Sequence, residues 1–281
     1  MPANGTIGRR NVASVMLIGA STGALYPGMS TEDAVDRLAG IGFPILEVLL
    51  QTAGEYEAGF VHHLVGRVRY GGSRVHSVHT HTELHRLFDP YARRRAEGFD
   101  AFRRAIEAAA LLGAGNLVWH GLTRADHQRG VGFDAFAEVL GQLAYEAADH
   151  GIEVCLENVA WCVVRDAESV TMVRGWGLPI GFTFDPFQAV DAGVGHGTVL
   201  RAMAGRLRNV HVSDAAPRGR RHLPPGEGEI DWPALLRLIR GAGYDGPLMI
   251  EGACDGDLDR LIRSRELLIA AGPTGGDSNL T

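Results

Sequence analysis

Cysteine is scarce in this chain. Cys155, Cys162 and Cys254 are its whole complement over 281 residues, and no two are spaced as Cys-x-x-Cys. That excludes a disulfide framework and a thiolate zinc site. Cys155 lies inside an apolar run and reads as a buried, inert thiol. No apolar stretch reaches the roughly 20 residues of a membrane span. The opening segment MPANGTIGRRN lacks the apolar centre of a secretion signal, so the expected setting is the cytoplasm. A surplus of positive charge is missing too: Lys+Arg number 27 against 33 Asp+Glu, a net charge of −6. Neither nucleic acid nor a membrane surface is therefore expected as a partner. Without G-x-G-x-x-G or G-x-x-x-x-G-K-[ST], no nucleotide cofactor is expected either.

What the chain does contain is an alternation. Eight short apolar runs recur: VMLIGAS (15–21), PILEVLL (44–50), RVHSVHT (74–80), NLVWHG (116–121), EVCLEN (153–158), IGFTFD (180–185), RNVHVSD (208–214) and PLMIEG (247–252). Each has strand length and is apolar almost throughout, as parallel strands covered on both faces must be. Helical patterns lie between them. Thr31 is placed to cap EDAVDRLAGIG, Gly113 stops the amphipathic stretch 91–112, and Phe136, Val139, Leu143 and Ala147 share a face of 134–150. Pro233, just after Asp231, opens a further helix. Strand and helix alternating eight times predict a single (β/α)8 TIM barrel, with an open doubly wound sheet as the competitor. One domain is expected across 1–281, with flexible ends at about 1–11 and 272–281.

In such a barrel the C-terminal strand ends build the active-site face. Here run five ends at Glu157, six at Asp185, seven carries His211 and eight ends at Glu251. Simple exposure to solvent explains one or two polar strand ends. It does not explain three carboxylates and an imidazole on four successive strands, because burying that charge is costly unless a cation neutralises it. The donor set suits Mn²⁺ first, with Mg²⁺, Co²⁺, Zn²⁺ and Fe²⁺ as alternatives.

The strings LEN (156–158), FTFDPFQ (182–188), NVHVSD (209–214), PPGEGEIDW (224–232) and MIEG (249–252) resemble the xylose isomerase-like barrel superfamily. That group includes sugar isomerases and epimerases, inosose dehydratases and the endonuclease IV type. The resemblance spans about 15–270 and is most specific in the second half. It implies that Glu157, Asp185, His211 and Glu251 hold the metal, with Glu157 and Glu251 also acting as acid and base. The implied activity is isomerisation or epimerisation of a small, polyhydroxylated sugar or cyclitol, phosphorylated or not, by proton abstraction through an enediolate. Dehydration of the inosose type is the first alternative, since it begins with the same C–H abstraction.

The resemblance also implies a place for further residues. His79 and His120 match positions that hold an additional metal in the endonuclease IV type, bridged by the residue matching Glu157, which makes a dinuclear hydrolase or oxidase the second alternative. Against a third metal, Gln188 and Arg220 stand where that type has a histidine and an aspartate, and a guanidinium cannot ligate a cation. Gln188, His222, His81 and Arg220 are therefore candidates for substrate binding. Glu47 matches a common glutamate of the family, open to either contact with substrate or support behind the site. Trp119 and Trp161, beside His120 and Glu157, either wall the pocket or pack over the rim. Arg218, Arg220 and Arg221 are either a phosphate contact or a solvated loop. Relatives often form dimers or tetramers, so a homo-oligomer is expected.

Overall fold

Each of the eight apolar runs forms a strand. The computed structural model describes residues 16–81, 86–216 and 219–272, with 219–221 described by their backbone alone. The barrel strands are β1 Ile18–Ser21, β2 Ile45–Leu49, β3 Arg74–His79, β4 Asn116–Trp119, β5 Glu153–Glu157, β6 Ile180–Phe184, β7 Leu207–Val212 and β10 Leu248–Ile250. They close in the order β1-β10-β7-β6-β5-β4-β3-β2, and every neighbouring pair is parallel. The fold is thus the single (β/α)8 barrel expected from the alternation. Closure leaves no strand edge to protect.

Around the ring lie α1 Thr31–Gly40, α2 Ala58–Tyr70, α3 Ala92–Leu112, α4 Arg124–Gln128, α5 Phe133–Asp149, α6 Ala167–Gly175, α7 Pro186–Asp191, α8 His196–Met203, α9 Trp232–Gly241 and α10 Leu258–Ala271. Local chemistry sets their ends. Asp231 caps α9 by accepting from the Ala234 N–H at 2.9 Å, with proline in the first turn. Gly113 ends α3 at φ 72°, a conformation a Cβ disfavours. One cap differs from expectation. Ser30 caps α1, accepting from Asp33 N; Thr31 is already helical and turns its hydroxyl to Glu55 at 2.7 Å.

Side-chain alternation splits the core into two layers. Between strands and helices, Trp119 packs edge-on against Phe102 and Phe136. Inside the barrel, beneath its mouth, the buried side chains are polar, among them Glu47, Ser77 and Asn209. All three cysteines are free and buried. No helix among the described residues is long and apolar enough to cross a membrane. The expected flexible ends lie outside the described residues, apart from Gly272, and so does Arg218.

A short antiparallel hairpin, β8 Asp214–Ala216 and β9 Gly219–Leu223, rises from the exit of β7. Nothing in the periodicity predicts it, because GRRHL carries no alternation of apolar residues.

Candidate metal centre

Four strand exits converge. Glu157 closes β5, His211 lies in β7, and Asp185 and Glu251 are the first residues beyond β6 and β10. Each offers one ligand-type atom, and those four atoms lie within 4.8 Å of one another. Glu157, Asp185 and His211 are essentially inaccessible to solvent, while Glu251 is half-buried. His211 Nδ1 stands 2.8 Å from Glu251 Oε2 and 3.4 Å from Glu157 Oε1.

Two more imidazoles join this group. His79 Nε2 and His120 Nε2 each lie 3.2 Å from Glu157 Oε2, so His79, His120 and Glu157 form a second set of candidate ligands that shares a carboxylate with the first. The Nδ1–H of His79 donates to the Thr80 carbonyl at 2.9 Å, which aims its Nε2 into the mouth. His79 lies edge-on to His120 and stacks on His211.

The electrostatics are those of an acidic cluster held together by protons. Burial acts to raise the Glu157 carboxyl, but His211, His120 and His79 outweigh it and hold the group well below the usual carboxylate range. Burial acts to lower His79, yet its hydrogen bond to Glu157 and the charges of Glu47, Glu157 and Glu251 lift it to about 9. His211 is raised well above its ordinary value against the same desolvation. Asp185 is pushed up to about 6, chiefly by burial and then by Glu157 and Glu251, with His222 opposing. His120 is lowered, chiefly by burial.

A divalent cation fits this donor set. Although they face one another, His211 Nδ1 and Glu251 Oε2 are buried atoms without a hydrogen-bond partner. Unpaired buried polar atoms are rare in native proteins, and a metal bound between them satisfies both.

Neighbouring residues fix the cluster. Asp185 accepts from Gln188 N at 2.8 Å as the cap of α7, and from Ser213 Oγ at 3.0 Å. Asn158 grips its backbone twice, donating to the Asp185 carbonyl and accepting from its N–H. Asp214 is fully buried and accepts from Ala215 N, Gly226 N, Ile230 N and Trp232 Nε1 at 2.8–3.0 Å, which ties the loop after β9 to the barrel. Close approach makes two glycines necessary here. A Cβ on Gly228 would strike the Asp214 carboxylate, and one on Gly252 would strike the Leu223 carbonyl, where the hairpin crosses the exit of β10. Asn158, Ser213 and Asp214 were not singled out from the sequence. The available signal was a polar residue one to three places beyond a ligand position inside LEN and NVHVSD.

The remaining candidates divide. Gln188 is oriented by accepting from Ala160 N at 3.0 Å, so its amide NH₂ donates to His222 Nε2 at 3.2 Å. His222 also lies 3.8 Å from Asp185 Oδ2 and edge-on to Phe187. Trp161 is 44% exposed at the rim, with its ring edge-on to His120. Trp119, by contrast, faces the helices and is almost wholly buried. The structure places it in the outer core rather than against the pocket, because adjacent residues of a strand point to opposite faces. Glu47 is fully buried beneath the cluster. His81 does not join it; its backbone N–H donates to the Tyr56 hydroxyl at 3.2 Å. The side chains of Arg220 and Arg221 lie outside the described residues.

A closed parallel barrel with acidic and imidazole side chains gathered at its C-terminal mouth defines the class: a TIM barrel built around a polar, enzyme-like centre. Residues 35–271 match the model of the xylose isomerase-like TIM barrel family, and the chain belongs to that family. Over 168 residues it is 32% identical to a probable endonuclease 4 from Solibacter usitatus (strain Ellin6076), covering 52% of this chain and 58% of that protein. The match thus spans little more than half of that relative's length. Among solved structures, a D-tagatose 3-epimerase-like protein superposes with a TM-score of 0.78 at 21% identity, covering 91% of this chain and 97% of the other. The apo form of 3-keto-D-glucoside 4-epimerase YcjR from E. coli gives 0.72 at 18% identity, covering 89% and 99%. A D-psicose 3-epimerase in the presence of D-fructose gives 0.67 at 19%, covering 91% and 96%. At these identities the structural likeness shows the fold.

Proposed function

We propose that this chain is a divalent-metal-dependent isomerase or epimerase acting on a small polyhydroxylated substrate, a sugar or cyclitol. The observation that carries the proposal is the convergence of Glu157, Asp185, His211 and Glu251 within 4.8 Å, with two buried ligand atoms among them that make no hydrogen bond. These four residues would hold the ion, with Mn²⁺ the first choice for a carboxylate-rich set. When bound, the ion supplies Lewis acidity that makes the C–H beside a substrate carbonyl easier to deprotonate. The epimerases that share the fold support the choice of substrate class.

The chain's own residues divide the remaining work. Glu157 and Glu251 come from strands separated in the ring by β6 and β7, so their carboxylates enter from two sides. One takes a proton from carbon and the other returns one. Gln188 and His222 hydrogen-bond substrate hydroxyls, and Trp161 offers a face to the sugar ring. Gln188 and Arg220 stand where the endonuclease IV type has metal-ligating residues, which speaks for a small substrate over DNA.

A second reading draws on His79 and His120. Their common contact with Glu157 makes a second ion, sharing that carboxylate, the alternative that geometry favours, and with it a dinuclear hydrolase or oxidase.

Incubation of the Mn²⁺-loaded protein with ketoses and cyclitol ketones in deuterated water tests the leading proposal. Solvent deuterium appearing at carbon without loss of oxygen is the expected result. Loss of water from the product assigns a dehydratase instead. An absence of both across the panel contradicts the proposal.

A further inference from the structure

We propose that Glu47 is a positioning residue that holds the Nε2–H of His211 and so presents its Nδ1 to the metal. The inference rests on the metal centre proposed above and adds a residue to it.

Glu47 sits on β2 and His211 on β7, strands separated in the ring by β1 and β10. The carboxylate therefore reaches across the barrel interior. Its two oxygens lie 3.1 Å from His211 Nε2. Ser77 Oγ, paired in register on β3, donates to Oε2 at 2.7 Å, and Asn209 Nδ2 donates to the same oxygen at 2.8 Å. Glu47, Ser77, Asn209 and His211 are all fully buried. A carboxylate placed there is strongly disfavoured unless its partners are fixed, and only His211 among them leads to the mouth.

The consequence lies in the imidazole. Nε2 faces both carboxylate oxygens at 3.1 Å, which is repulsive unless it carries the proton, so Nε2 is the donor. The Asn209 amide nitrogen, 3.2 Å from the same ring nitrogen, donates to Glu47 at 2.8 Å. The lone pair of a neutral ring then falls on Nδ1, 2.8 Å from Glu251 Oε2 and without a hydrogen-bond partner. A carboxylate behind a ligating histidine fixes the tautomer and ring angle and raises the basicity of the other nitrogen. Glu47 is wholly buried and commits its carboxylate to His211, Ser77 and Asn209. Of the two places the sequence left open for Glu47, this is the one behind the site.

The test is Zn²⁺ affinity of the chelator-stripped full chain, measured against a chromophoric chelator, with the His211 ring proton followed by ¹⁵N-resolved NMR. Glu47→Gln is expected to weaken Zn²⁺ binding by about 10- to 100-fold. The Nε2 proton signal should move upfield as the charge-assisted bond is lost, a change that a purely structural role does not predict. Ser77→Ala keeps the carboxylate and loosens it. It should shift both readouts in the same direction by less, and it serves if Glu47→Gln does not fold. Wild-type affinity and an unmoved ring proton in these variants overturn the role while leaving the metal centre intact. A wild-type protein that takes up no Zn²⁺ overturns both.

Discussion

His211 Nδ1 and Glu251 Oε2 lie 2.8 Å apart, buried, and neither has a hydrogen-bond partner. This close approach without a hydrogen bond links the fold to the chemistry. Two strands bring the atoms together, and a cation bound there would satisfy both.

Glu251 is half-buried and lies beyond the end of β10, so replacing it disturbs little packing. Glu251→Gln is expected to keep the thermal midpoint of the metal-free protein near wild type. Loss of a proton-transfer group should lower kcat by about 10²- to 10⁴-fold. Normal turnover in this variant removes Glu251 from the acid–base pair.

The metal-free protein should be sensitive to alkali. His79 has its pKa raised from 6.5 to about 9 on folding, with burial opposing and Glu157, Glu47 and Glu251 prevailing. The stability it contributes is fully present below pH 6.5 and is lost as pH rises through about 9. Asp185 is raised from 3.8 to about 6, so its contribution is likewise lost as pH rises through that value. Melting of chelator-stripped protein should show a midpoint falling between about pH 7 and about pH 9.5. His79→Gln should flatten that fall, and an equal slope in both proteins would show that His79 does not carry the charge.

Stoichiometry separates the two metal readings. If one ion suffices, His79→Ala and His120→Ala leave metal content at the wild-type value. If the shared Glu157 carboxylate bridges a second ion, each variant loses one ion per chain and keeps the other. Plasma mass spectrometry of the reloaded variants decides between them.

Asp214 organises the loop that follows β9, the strand carrying His222. Asp214→Ala strands four donors, three of them backbone N–H groups, and should cost at least about 2 kcal/mol in urea unfolding. Asp214→Asn keeps one acceptor oxygen and should cost less. Equal stability of all three proteins would show that the loop is held by other contacts.

The barrel was legible because parallel strands buried on both faces must be apolar throughout, and eight such runs stand out at regular intervals. The convergence of Glu157, Asp185, His211 and Glu251 was legible for the complementary reason, since charge at the end of an apolar run is conspicuous. What escaped detection depends on direction and distance. Adjacency to His120 left Trp119 open between walling the pocket and packing over the rim, and strand alternation turns it to the helices. Glu47 sits inside an apolar run, and nothing local reveals that its partner lies 164 residues away in β7. The β8–β9 hairpin has no periodic signature, and Asp214, which anchors the loop beyond it, reads as one more polar strand end.

The most direct test of the central claim is the metal content of chelator-stripped protein reloaded with Mn²⁺ and measured by plasma mass spectrometry. At least one tightly held ion per chain, lost in Glu157→Ala and in Asp185→Ala, is the predicted result. A wild-type chain that retains no ion would contradict the account.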